Sequence, residues 1–248
     1  MQQNRQYFSN LKALFINCSI KKNKSESHTQ TLMDRVEHIM SSEGINVEQL
    51  YALDHTIAFG MIKDGKDEGQ KDDWPKIQAK ILDADILVLG TPIWLGVKSS
   101  VATQVIERMY AYSGDRNDKD QYVYYGRTAG CVITGNEDGI KHCAMDILYA
   151  MQHIGYTIPP QADCGWIGEA GPGPSYGDTE WDGKLIGDGK SPVGFDNDFT
   201  NRNATFMAWN LMHMAKLLKD NGGIPAMGNT ASSWQQVVNA KSDNPEYH

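Results

Sequence analysis

The chain has 248 residues, 40% of them hydrophobic and 22% charged, with a formal net charge of −8. That length supports a substantial core in one large domain or two small ones, and the negative balance argues against a nucleic-acid partner. No run approaches the ~18 apolar residues of a membrane span and the first residues lack an apolar signal core, so a soluble, cytoplasmic protein is expected.

In chain order, "LKALFINCSI" (11–20) is an apolar run rich in strand formers. "HTQTLMDRVEHIMSSEG" follows with Leu32, Val36, Ile39 and Met40 at helical spacing and Gly44 as a stop. "INVEQLYAL" reads as a second strand, and the Gly/Asp/Lys-rich stretch to Asp73, including "KDGKDEGQKDD", as a solvated loop. "WPKIQAKILDA" is a short helix with proline near its start, and "DILVLGTP" is the clearest buried strand. "SSVATQVIERMYAY" is a serine-capped helix, "GRTAGCVITGNEDG" a further buried strand, and "IKHCAMDILYAMQHIG" a helix closed by Gly155. "YTIPPQADCGWIG" carries two prolines, which suit an edge strand. A Gly/Pro/Asp-rich stretch covers 165–198, "NATFMAWNLMHMAKLLKDNGG" is a strong terminal helix, and the last residues show no firm pattern.

This alternation predicts an α/β, doubly wound, five-stranded parallel sheet with helices on both faces. A single domain with surface insertions near 54–73 and 165–198 and an irregular tail is the economical organisation. Cys18, Cys131, Cys143 and Cys164 match no metal framework and read as buried, reduced thiols. His142, His153 and His213 read as helix residues, and no metal site is expected. No catalytic residue is singled out.

In open α/β sheets ligands lie beyond the carboxyl ends of the strands, where strand order reverses. Three connections therefore matter. The first, "CSIKKNKSESHTQT" (18–31), offers hydroxyls and lysines ahead of a helix N-terminus, which suits a phosphate; a capped loop with ordinary surface lysines explains the same residues. The second is "TPIWLGVKSSV" (91–101), where Pro92 fixes the backbone, Trp94 supplies an aromatic surface and Gly96 permits close approach; Trp94 covering core or a subunit contact is the competing reading. The third is "TGNEDG" (134–139), also readable as a turn followed by a helix capped by Asp138.

Taken together the three loops resemble those of the NAD(P)H-dependent FMN reductases of the flavodoxin-like superfamily. "CSIKKNKSESHT" looks like a longer form of that family's GSxRxxSxT-type loop. Cys18 stands where a glycine is usual, and the extra length leaves open which serine meets the phosphate. "TPIWLGVKSSVATQVIERM" is similar to TPIYxGxxxxxxKxxIDR, and "TGNEDG" to TGGxxxG with Asn136 in a glycine position. The resemblance implies the flavodoxin-like strand order 2-1-3-4-5 and bound FMN. Its phosphate would lie at Ser19, Lys21, Ser27, His28 and Thr29. Its ring would lie between Pro92, Ile93, Trp94, Leu95 and Gly96 and Thr134, Gly135, Asn136 and Gly139. It further implies NAD(P)H as reductant, a small-molecule electron acceptor (quinone, nitro or azo compound, metal oxyanion or free flavin), and a homodimer or homotetramer. Trp166 and Tyr176 are candidates for a lid. A flavodoxin-type electron carrier and a flavin-free binding scaffold are the competing expectations.

Overall fold

The computed structural model describes residues 7–166, 168 and 173–239, with side chains described to 236. The chain runs β1 (Lys12–Asn17), α1 (His28–Ser42), β2 (Asn46–Tyr51), α2 (Trp74–Asp83), β3 (Ile86–Trp94), β4 (Val97–Lys98), α3 (Ser100–Tyr110), β5 (Thr128–Thr134) and α4 (Ile140–Ile154). It continues with β6 (Asp163–Trp166), β7 (Glu180–Trp181), β8 (Lys184–Leu185), α5 (Asp198–Asp220) and α6 (Ala231–Asn239). The main sheet is parallel in the order β2-β1-β3-β5-β6. With β5 and β6 as fourth and fifth principal strands, this is the expected flavodoxin-like order; β6 lies at an edge, with Pro159 and Pro160 in the connection before it rather than in the strand.

Alternation along the central strands explains the long apolar runs, because successive side chains enter opposite faces. Leu14, Ile16, Leu87, Leu89 and Ile133 pack with Trp74, Ile77 and Ile81 of α2, Val105 and Met109 of α3, and Ile147 and Met151 of α4. Ala13, Phe15, Ile86, Val88 and Val132 pack against Leu32, Met33 and Val36 of α1 and Met207 and Leu211 of α5. Gly90 in β3 lets α1 come close: a Cβ there would lie 2.1 Å from Met33 Sδ.

The structure departs from the sequence reading at several places. The segment after "DILVLGTP" folds back on itself, because β4 pairs antiparallel with β3 through Ile93–Lys98 and Trp94–Val97. Leu95 (φ 51°) and Gly96 (φ 77°) form its two-residue turn, both left-handed as a type I′ hairpin requires. Asp138 does not cap α4; Gly139 occupies that position and no side chain supplies a cap bond. The terminal helix begins at Asp198, ahead of the expected 203, because Asn197 accepts a hydrogen bond from Thr200 N–H. Finally, α6 forms where no pattern was read. Asp120 accepts from Ser232 N–H and Thr230 Oγ1 from Ser233 N–H, so capping contacts fix its start.

The stretch 54–73 is also more than a solvated loop. Asp72 is buried and accepts from Ala58 N–H, Gly65 N–H, Trp74 N–H and Arg108 Nη2. Both side chains of that ion pair are fully buried, at 2.6 Å. Arg108 also donates to the carbonyls of Ala58 and Lys63, so one helical arginine carries much of the insertion. Burial alone would raise the Asp72 carboxyl, but Arg108 and the three N–H donors outweigh it and hold it down at about 2. The four cysteines are buried and reduced; burial pushes Cys18 up to about 12 and Cys143 up to about 11, which keeps both as thiols.

Candidate functional site

The connections after β1, β3 and β5 meet at one rim of the sheet around a cavity of about 340 Å³. That volume falls within the range of roughly 300–1,000 Å³ typical of small-molecule sites. Its two ends have opposite chemistry.

At one end Asn17, the last residue of β1, organises the first loop. Its Oδ1 accepts from Ser19 N–H at 2.9 Å, and its Nδ2 donates to Ser27 Oγ at 3.3 Å and Gln30 Oε1 at 2.8 Å. Ser27 caps α1 by accepting from Gln30 N–H. The N–H groups of His28 and Thr29 have no acceptor among the described residues, so the positive end of a 15-residue helix opens on the cavity. Lys21 lines the same end, with its ammonium on the carbonyl of Glu26 at 2.7 Å. These are anion-binding features.

At the other end Pro92, Ile93 and Trp94 form a largely apolar wall, with Trp94 47% exposed. Thr134, Gly135, Asn136 and Glu137 line the cavity beside them, at the end of the neighbouring strand. Thr134 and Thr29 join the two loops through their hydroxyls at 2.7 Å. Gly135 is a packing requirement, since a Cβ there would lie 2.8 Å from Ile93 Cβ.

A strap from the 165–198 insertion closes the remaining side. Asn136 Nδ2 donates to Gly173 O at 2.8 Å and Ser175 Oγ at 3.0 Å. Gly177 N–H donates to His28 Nδ1 at 3.0 Å, which places the imidazole proton on Nε2, the nitrogen 3.6 Å from Asp178. Burial lowers the His28 pKa first, Lys21 lowers it further and Asp178 opposes both, so the ring is neutral near pH 7. Tyr176 is not an exposed lid: it is wholly buried, edge-on to Trp166 and beside Phe195, and lines the cavity from beneath.

Of the residues expected at the site, Ser19, Lys21, Ser27, His28, Thr29, Pro92, Ile93, Trp94, Thr134, Gly135 and Asn136 line this cavity. Leu95, Gly96 and Gly139 do not. Leu95 projects from the hairpin tip at 92% exposure. Gly96 and Gly139 instead pack one loop on the other: a Cβ on Gly139 would lie 2.7 Å from Gly96 O. Asn17, Glu137 and Ser175 belong to the site and were not singled out. A polar residue ending an apolar strand was the available signal for Asn17; the other two carry none. Among the described residues no three metal-ligating side chains cluster.

The residues fit a flavin phosphate in chemistry: unclaimed N–H donors, hydroxyls and a lysine at one end, and at the other an apolar wall of Pro92, Ile93 and Trp94 beside the polar side chains of Asn136 and Glu137. Comparisons with known proteins point the same way. Residues 11–165 match the family model described as NADPH-dependent FMN reductase. The chain is 34% identical over 217 residues to 8-demethyl-8-aminoriboflavin-5′-phosphate synthase of Streptomyces davaonensis, covering 85% of this chain and 79% of that protein. It is 52% identical over 239 residues to a Mycobacterium bovis protein named divalent metal cation transporter MntH, but spans only 32% of that protein's length. Among solved structures, RosB with a bound 8-demethyl-8-formylriboflavin-5′-phosphate intermediate superposes with a TM-score of 0.78 at 32% identity, covering 94% of this chain and 88% of the other.

Proposed function

This chain belongs to the NADPH-dependent FMN reductase family, and on that premise we propose that it is an oxidoreductase that holds FMN in the cavity beyond β1, β3 and β5. NAD(P)H would be the reductant, and a small molecule (a quinone, a nitro or azo compound, a metal oxyanion or free flavin) the acceptor. The observation that carries this reading is the two-ended cavity, whose anion-binding end is built by Asn17, Ser27 and the first turn of α1 and whose apolar end is built by Pro92, Ile93 and Trp94.

When bound, FMN supplies hydride acceptance from nicotinamide and onward electron transfer. The protein's own residues supply position and exclusion of water. The His28 and Thr29 N–H groups and the Lys21 ammonium neutralise the phosphate. Pro92 and Trp94 would hold the ring plane, and Gly135 lets the second and third loops lie against each other. The strap, tied to Asn136 and His28, bounds the cavity through Ser175 and Tyr176.

A second reading is favoured by the likeness to the Streptomyces synthase and RosB, whose names and bound intermediate make flavin phosphate the substrate. Both readings need the same cavity and differ in what becomes of the flavin. The chain spans only 32% of the longer Mycobacterium protein, so that protein's name is carried into neither reading.

The test is an absorbance spectrum of the purified protein with FMN, followed by NAD(P)H without oxygen and then by mass analysis of the flavin. Bleaching of the flavin band with recovery of unchanged FMN supports the reductase. A changed flavin mass in the presence of an amine and an oxidant supports flavin modification. A protein that ignores FMN overturns both.

A further inference from the structure

The hairpin tip of Leu95 and Gly96 reaches toward the third loop, and the contact made there is specific. Leu95 N–H donates to Glu137 Oε1 at 2.8 Å. Leu95 sits in left-handed backbone at φ 51°, a conformation that side-chain-bearing residues rarely adopt and that persists where surroundings hold it. Glu137 lines the cavity itself, half-buried, and forms no ion pair with any cation among the described residues. The lysines on β4 and at the start of α4 are engaged elsewhere: Lys98 pairs with Asp146 and Lys141 with Asp163. One oxygen of this carboxylate is therefore fixed by the hairpin, while the other takes no donor among the described residues, on a residue that lines the cavity next to Asn136.

We infer that Glu137 is the residue that reads the imide edge of the flavin, accepting a hydrogen bond from the ring's imide N–H through the oxygen that Leu95 leaves free. This rests on the proposed FMN reading and adds a specificity-determining residue to it. An isoalloxazine presents carbonyl, N–H and carbonyl in a row along its pyrimidine edge. A carboxylate oxygen complements the central N–H, and hydrogen bonds to a charged acceptor are stronger than neutral ones. At the other edge of the ring there is no polar alternation to read. Glu137 therefore sets which way the ring enters, and it excludes planar, phosphate-bearing molecules that lack a donor at this place.

The test uses FMN and its N3-methylated analogue, titrated by fluorescence against wild type, E137Q and E137A, with thermal unfolding of each protein recorded alongside. In wild type, methylation removes the donor and should weaken binding about tenfold or more, tenfold being about 1.4 kcal/mol. In E137A the same methylation should cost less than about threefold, because no acceptor remains to be lost. E137Q keeps a carbonyl for Leu95 N–H but turns an N–H toward the imide, so FMN itself should bind about tenfold more weakly. Should E137A fail to fold, E137Q carries the test, since it preserves the hairpin contact. Equal methylation penalties in wild type and E137A, or wild-type FMN affinity in E137Q, overturn the role of Glu137 while leaving the FMN reading intact. A wild type that binds neither flavin overturns the reading on which the inference rests.

Discussion

Two insertions border the same sheet and spend their polar groups differently. The 54–73 insertion is closed on itself: Asp72 takes three backbone N–H donors and Arg108, and Arg108 returns two bonds to the insertion's carbonyls. The strap around 173–178 is anchored by buried Tyr176 and by Val193 and Gly194, reaches the site at Asn136 and His28, and borders a cavity where the first N–H groups of α1 have no acceptor among the described residues. A loop that satisfies its own donors is a structural part. One that helps enclose unclaimed donors is a part waiting for a ligand.

The sharpest way to break that comparison is D72N. It leaves the Arg108 guanidinium buried without a counter-charge, a loss of about 3–5 kcal/mol by analogy with broken buried pairs. Chemical denaturation should show it, while the folded fraction keeps its FMN affinity. Weakened FMN binding with unchanged stability would invert the roles assigned to the two insertions.

Acid should single out the same clamp more gently. The Asp72 carboxyl titrates at about 2 in the folded chain against an ordinary value of 3.8. Its contribution is whole above pH 4 and is lost as pH falls toward 2, amounting to about 2 kcal/mol. A stability–pH profile of wild type against D72N should differ in that window, with the acid limb flattened in the variant.

At the cavity the expectations reverse. Trp94 is 47% exposed, so W94A should change unfolding free energy by no more than about 0.5 kcal/mol. The same variant should weaken FMN binding about tenfold, or roughly 1.4 kcal/mol, through lost contact with the ring. Titration and melting of one sample measure both quantities. A large loss of stability with unchanged affinity would make Trp94 a core or interface residue.

Much of this was legible from residues alone, for identifiable reasons. "DILVLGTP" and "AGCVIT" announce two-faced burial because both faces of a parallel sheet are covered, so no polar alternation interrupts them. The three connecting loops are legible because a ligand at a sheet's switch point draws on segments at predictable positions in chain order. Asp72 was not legible: it sits in a run of mixed charges, and its burial depends on Arg108, 36 positions further on. The hairpin at Leu95–Gly96 was hidden because leucine is a poor choice for left-handed backbone, and what holds it there is a glutamate on another loop. The helix Ala231–Asn239 was missed because its apolar spacing of Ala231, Trp234, Val237 and Val238 spans barely two turns, and its start is fixed by Asp120, far upstream.

The central claim is that one cavity joins an anion-binding end to a ring-binding end. Parallel titrations with FMN and with riboflavin, which differ only in the phosphate, test it most directly. The account predicts that FMN binds at least about a hundredfold more tightly, near 2.7 kcal/mol, and that the preference shrinks as salt is raised. Equal affinity for the two, or a preference indifferent to salt, would contradict it.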